Sequence, residues 1–413
     1  MEKRGSVMKK FLACLLFAVL AIGIAACQKG NFGDTYIEGQ DQQYMYTDLF
    51  YSTQKMTESE EGYYFLHQNY LFFADRDTLA VSPFCDKPGC LHEKETETSK
   101  TWKCNAYYFT YNDDFIASWG DDLYIKVESD QMGRRLSKGG LMRISKDGME
   151  KTLVCEFQEL PGSSNALHRG KFYYASKEVN QKLSANYNIH EVDLQNGGSD
   201  RVLYHGEKES GCIPQLLCYG NHLYFKESYV KDEKSCVDVK EINLRTGEIT
   251  ELKPEGEEKE FSLRGVFHDR IYYTSTNSYE TGQWDWKSMN LDQSDRQEWF
   301  STPEEQLLYA DTRYFYLYTP RVYLAGSEKE PSLSMLDQDG DRIGGCDLSA
   351  VEGILIDFIP GGEQNFFLIS VDDDYLYHYY VVDKEEMAQT GQGKLREFLQ
   401  PGNIVSGVSD LPI

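Results

Sequence analysis

The sequence predicts an all-β fold, a β-propeller of four-stranded antiparallel blades. Two observations carry this. A short apolar-aromatic triplet recurs along the chain, and a strand ending in an Asx-Gly or Thr-Gly turn follows most copies about twenty residues later. After residue 30, no stretch shows a sustained helical period with caps. Seven copies of the triplet predict seven blades, with six or eight as the alternatives because the first and last copies are the weakest.

The copies in order are Tyr63-Tyr64-Phe65, Leu123-Tyr124-Ile125, Phe172-Tyr173-Tyr174, Leu223-Tyr224-Phe225, Ile271-Tyr272-Tyr273, Phe315-Tyr316-Leu317 and Phe366-Phe367-Leu368. Successive copies begin 44 to 60 residues apart. The longest interval is the first, which contains a cysteine-rich insertion. Turn-forming residues precede most triplets, as in Gly120-Asp121-Asp122 and Gly220-Asn221-His222. The second pattern ends at Asp147-Gly148, Asn196-Gly197, Thr246-Gly247 and Asp339-Gly340, residue types that tolerate the positive φ of tight hairpins. A unit of about 45–50 residues with four short strands is a propeller blade. A lone blade cannot cover both of its faces, whereas blades packed round an axis cover one another.

The ends are read differently. Residues 1–26 carry Lys3, Arg4, Lys9 and Lys10 ahead of an apolar core from Phe11 to Ala26, the layout of a secretory signal. Ile24-Ala25-Ala26-Cys27 resembles the lipobox of bacterial lipoproteins. That resemblance implies cleavage before Cys27, lipidation of Cys27 (palmitate among the acyl groups), and a mature chain anchored to the membrane without spanning it. Residues 27–58 are polar and read as a tether, with Tyr44–Tyr51 able to donate an outer strand. Residues 59–413 are the propeller, and the tail 401–413 is a candidate closing strand. The expected location is the extracytoplasmic face of the cell membrane.

The formal net charge is −25. Removing the basic signal leaves the mature chain more acidic still. Nucleic-acid binding needs a basic face and is excluded as a partner class. Apart from Cys14 in the signal and Cys27, eight cysteines remain, namely Cys85, Cys90, Cys104, Cys155, Cys212, Cys218, Cys236 and Cys346. An even count outside the cytoplasm permits disulfides.

The candidate site is Cys85, Cys90, His92 and Cys104. Pro88-Gly89 favours a tight turn that brings the first two sulfurs together, and three thiolates with one imidazole satisfy a closed tetrahedral zinc site. Structural zinc and a Cys85–Cys90 disulfide stand as alternatives. Asp337, Asp339 and Asp341 alternate like a calcium loop, but Gly340 is misplaced and Leu348 stands where a Glu is needed, so a hairpin turn is expected. Asp372-Asp373-Asp374 reads as a solvated acidic loop, and His168, His222 and His268 as surface turn residues. No Gly-x-Ser-x-Gly elbow, phosphate loop or His-Glu-x-x-His is present.

Taken together, the lipobox, the triplets, the Asx/Thr-Gly turns and the segment Cys85-Asp-Lys-Pro-Gly-Cys90-Leu-His92 with Cys104-Asn-Ala-Tyr107 resemble the uncharacterised β-propeller lipoproteins of Firmicutes, distantly similar to TolB propellers. The resemblance covers nearly the whole mature chain and implies an exported propeller without an assigned activity. The expected function is a membrane-anchored scaffold binding a protein, peptide or glycan. The alternative is an extracytoplasmic polysaccharide hydrolase or lyase with its site in the channel.

Overall fold

In the computed structural model the described residues are those between 33 and 399, apart from 43–44, 47–53, 93–103, 111–114, 180–183, 210–212, 254–260, 275–281, 304–306, 320–321, 325–326, 330, 360–363 and 375. The expected closing tail 401–413 and Cys212 therefore lie outside the described residues. The body from Thr35 onward is a seven-bladed β-propeller. The six- and eight-blade alternatives fall away.

Blade 1 runs from its inner strand Met56–Glu58 through Gly62–His67 and Tyr70–Asp75 to the outer Val81–Pro83. Blades 2 to 5 begin at inner strands Ile116–Trp119, Pro161–His168, Gln215–Tyr219 and Ser262–Phe267. Blade 6 begins at Leu307–Ala310 and blade 7 at Ile354–Ile359. Every neighbouring pair within a blade is antiparallel, in sequence order from axis to rim. One short helix, Lys384–Thr390, interrupts blade 7; Asp383 caps its start and Gly391, at φ 76°, ends it.

Each triplet lies on the second strand of its blade. These strands read as continuous apolar runs because both of their faces are covered by a neighbouring blade. Tyr63 and Phe65 pack toward blade 7, whereas Tyr64 and Leu66 pack toward blade 2. Phe172 and Tyr174 face blade 2, and Tyr173 and Ala175 face blade 4. Phe366 and Leu368 face blade 6, and Phe367 and Ile369 face blade 1. A polar substitution at any of these positions buries an unmatched group between two blades.

Among the described residues, no strand is shared between blade 1 and blade 7. All four strands of blade 7 come from residues 354–399, and all four of blade 1 from residues 56–83. Among the described residues, side chains hold this seam. Tyr63 stacks edge-on to Phe367 at 4.7 Å, Asn365 donates to the Tyr63 hydroxyl at 2.7 Å, and the Tyr379 hydroxyl meets His67 Nδ1 at 2.9 Å.

The N-terminal segment pairs elsewhere. Met45–Tyr46 lies antiparallel to Tyr309–Ala310, on the inner edge of blade 6. The donated strand is therefore on the channel side, not the outer side. Gln54 lies beside Phe115 and hands the chain to blade 1.

Candidate metal centre and channel mouth

The cysteine insertion follows the outer strand of blade 1. Lys87-Pro88-Gly89-Cys90 forms a turn closed by Cys90 N–H to Lys87 O at 3.2 Å, with Gly89 at φ 70°. Proline at the second position and a left-handed glycine at the third define a type II turn. It brings Cys85 and Cys90 together, as expected. The returning chain pairs Tyr107 with Tyr70 and sets Cys104 beneath them. Cys85, Cys90, His92 and Cys104 each direct one ligand atom to a point where all lie within 4.8 Å of one another. His92 Nδ1 is 3.4 Å from Cys104 Sγ.

The electrostatics of the group are uneven. Burial raises the Cys85 thiol, but N–H groups of Lys87 and Asn105 and the Cys90 side chain outweigh it and hold the thiol below its ordinary range. Burial pushes Cys104 up to about 12. Cys85 and Cys90 are not bridged to one another in this structure.

The second region is the mouth formed by the turns between first and second strands. Here the polar segment 35–42 is built into the propeller. Asp41 is fully buried against Arg169, with Oδ1 2.6 Å from Nε, and Gly220 N–H donates to it at 3.2 Å. Gln42 Oε1 accepts from Cys218 N–H at 2.9 Å. His168 is wholly buried, contrary to the surface position expected for it. It accepts from Gln42 N–H at 3.0 Å through Nδ1 and donates to Gly220 O at 2.7 Å through Nε2. Burial lowers its pKa to about 4. His222 is buried as well, against Glu241 at 2.6 Å.

Beside this segment opens a funnel of about 770 Å³, lined by Tyr36, Glu38, Gln54, Glu60, Trp119, Asp121 and neighbours. Its buried carboxylates are already matched. Glu58 pairs with Arg76 at 2.6 Å. Asp311 holds the buried Lys384 ammonium and accepts from Arg313 N–H at 2.7 Å, Tyr314 N–H at 2.8 Å and the Tyr316 hydroxyl at 2.6 Å. A general acid or base must reach its substrate; these carboxylates are engaged by Arg76, Lys384 and neighbouring donors. Glu38 and Glu60 face the opening, beside Asp121 paired with Lys146 at 3.3 Å.

Two further constellations escape the linear sequence. Ser176 Oγ lies 3.3 Å from His190 Nε2, and His190 Nδ1 lies 2.9 Å from Asp200 Oδ1. The distances match a nucleophile, base and orienting acid. Ser176 and His190 are wholly buried, and the serine hydroxyl donates to Glu159. Tyr174 closes over His190 with ring centres 4.4 Å apart. No substrate reaches this serine, so the group is a buried clamp at the rim of the blade 2–3 packing. On blade 7, His378 Nε2 is 3.0 Å from Asp372 and Nδ1 is 2.8 Å from Glu397, with Glu352 at 3.8 Å. Burial alone would lower its pKa, but hydrogen bonds and charge from the carboxylates outweigh this and raise it. The Asp372–Asp374 loop is thus partly folded onto His378. Asp337 Oδ1 accepts from Asp339 and Asp341 N–H at 3.0 and 2.9 Å, the hairpin turn expected of it.

No protein-family profile matches the chain, and no curated protein matches it. Solved structures do. A prolyl endopeptidase shares 13% identity at TM-score 0.51, covering 85% of this chain and 50% of its own. The acylaminoacyl peptidase of Pyrococcus horikoshii shares 8% at TM-score 0.51, covering 87% and 53%. TolB from Acinetobacter baumannii shares 12% at TM-score 0.37, covering 85% and 79%. This chain thus spans about half the length of the two peptidases. At such identities the likeness is one of fold, a distant propeller relationship. Among the described residues no helix is long and apolar enough to cross a membrane.

Proposed function

We propose that the chain is a lipoprotein anchored through Cys27 on the extracytoplasmic face of the cell membrane, and that it binds a peptide or glycan at the funnel. The observation that carries this reading is the pairing of the funnel's buried carboxylates with Arg169, Arg76 and Lys384, while an opening of about 770 Å³ remains beside them. The groups left for a ligand are the Tyr36 and Trp119 rings and the carboxylates of Glu38 and Glu60. Aromatic faces with acidic rims suit sugar rings or cationic side chains.

A thermal-shift screen of the mature chain against glycans and cationic peptides tests the reading. Ligand at a hundredfold excess over its Kd adds about 2.7 kcal/mol of stability. Trp119→Ala and Glu60→Gln are expected to abolish the shift while leaving the fold intact. A ligand that raises Tm equally in both variants overturns the assignment to the funnel. Release of shortened glycan or unsaturated sugar in the same incubations overturns the binding-only reading in favour of a hydrolase or lyase.

A further inference from the structure

Among the described residues no strand joins the first and last blades, so packing between them carries the seam. Here that seam is a cluster of side chains from Tyr63, Phe65 and Phe72 of blade 1 and Phe367, Tyr379 and Val381 of blade 7. Cys104 belongs to this same cluster, and Cys85 and Cys90 pack against it. We propose that Cys85, Cys90, His92 and Cys104 bind one zinc ion, and that this metal clip locks the blade 1–blade 7 seam.

The donor set is the first argument. Three sulfurs and an imidazole nitrogen within 4.8 Å of one another match tetrahedral zinc, where Zn–S of about 2.3 Å places ligand atoms about 3.8 Å apart. Four protein donors leave no open position, so the site is structural. Binding releases the three thiol protons to solvent and leaves a net charge of about −1 on the centre. Lys151 stands nearby as a countercharge, its ammonium 4.0 Å from the Tyr108 ring centre and donating to Asn105 O. Backbone N–H groups of Lys87, Asn105 and Ala106 point to the Cys85 sulfur, the outer-shell bonds that orient a metal thiolate.

The second argument is mechanical. Tyr70 donates its hydroxyl to His92 O at 2.9 Å and stacks edge-on to Tyr107 at 5.1 Å. Its ring continues to Phe72 at 6.4 Å, from Phe72 to Phe65 at 5.5 Å, and from Phe65 to Tyr379 of blade 7 at 5.4 Å. Fixing His92 and Cys104 therefore fixes one end of an aromatic chain that crosses the seam. Interiors packed at this density transmit such constraints.

The test uses the full mature chain, purified anaerobically with reductant and loaded with zinc alone. Elemental analysis is expected to give one zinc per chain. Chelation is expected to speed hydrogen exchange about tenfold at Phe65, Leu66, Phe367 and Ile369 and to leave Val266 and Ile271 at the blade 5 interfaces unchanged. Cys104→Ser is expected to lose both zinc and seam protection, whereas His92→Cys keeps four soft ligands and is expected to keep both. If Cys104→Ser does not fold, chelation of the native sequence supplies the same readout. Zinc well below one per chain, or full retention of zinc by Cys104→Ser, overturns the site. Zinc binding with unchanged exchange at the seam overturns the lock.

Discussion

Acid is expected to loosen the N-terminal segment from the propeller through His168. The imidazole has one tautomer that fits, since Nδ1 must accept from Gln42 N–H and Nε2 must donate to Gly220 O. A second proton on Nδ1 sets two donors against each other in a site without water access. The native pKa of about 4 stands against the ordinary 6.5. At about 1.4 kcal/mol per pH unit, the difference amounts to roughly 3 kcal/mol. The sign follows from which state takes the proton first. The unfolded chain protonates near pH 6.5 and the native state only near 4, so the stabilisation is complete above about 6.5 and is lost as pH falls toward 4. The assay is denaturant unfolding of the native sequence and of His168→Gln across that range, with hydrogen exchange at residues 35–42. Glutamine offers one donor and one acceptor but does not titrate, so its profile should be flatter by about that amount. Parallel profiles for the two proteins, or an NMR titration of His168 near 6.5, would refute the reasoning.

Three further outcomes follow from the packing. His378 has the opposite slope: its pKa is raised, so its stabilisation is complete below about pH 6.5 and disappears as pH rises through the native value. Melts of His378→Gln should lack that alkaline decline. Lys384→Met leaves Asp311 buried without its cation and is expected to cost about 3–5 kcal/mol in denaturant unfolding, much of it recovered when Asp311 is also made apolar. Gly206→Ala places a Cβ 2.1 Å from Tyr187 Cζ, whose hydroxyl is held by the buried Glu227. The ring cannot swing away freely, and a loss of about 1–3 kcal/mol is expected.

The blades were legible because burial on both faces forces a local pattern. Phe172-Tyr173-Tyr174 must be apolar throughout, and Thr246-Gly247 must supply a left-handed turn at φ 76°. The convergence of Cys85 and Cys90 was legible for the same local reason, since Pro88-Gly89 predicts the turn that joins two of the four candidate donors. The mouth was not. Asp41 and Gln42 sit in a polar stretch that reads as tether, and only partners more than a hundred residues away, Arg169 and Cys218, show that they are buried. His168 was misplaced for the same reason: its turn position suggests exposure until the N-terminal segment covers it. Ser176, His190 and Asp200 come from three strands of one blade with no linear spacing to announce them. Register alone aligns them, through the pairing of Ser176 with Asn188 and Tyr174 with His190.

The central claim is that this propeller is an outward-facing lipoprotein held by Cys27. Metabolic labelling of cells with a fatty-acid probe, followed by fractionation and intact mass of the extracted chain, addresses it directly. The account predicts a membrane-bound chain that starts at an acylated Cys27 and is digested by protease added to intact cells, and a Cys27→Ser chain that carries no label. An unlabelled chain that retains residues 1–26, or one protected inside the cell, would contradict it.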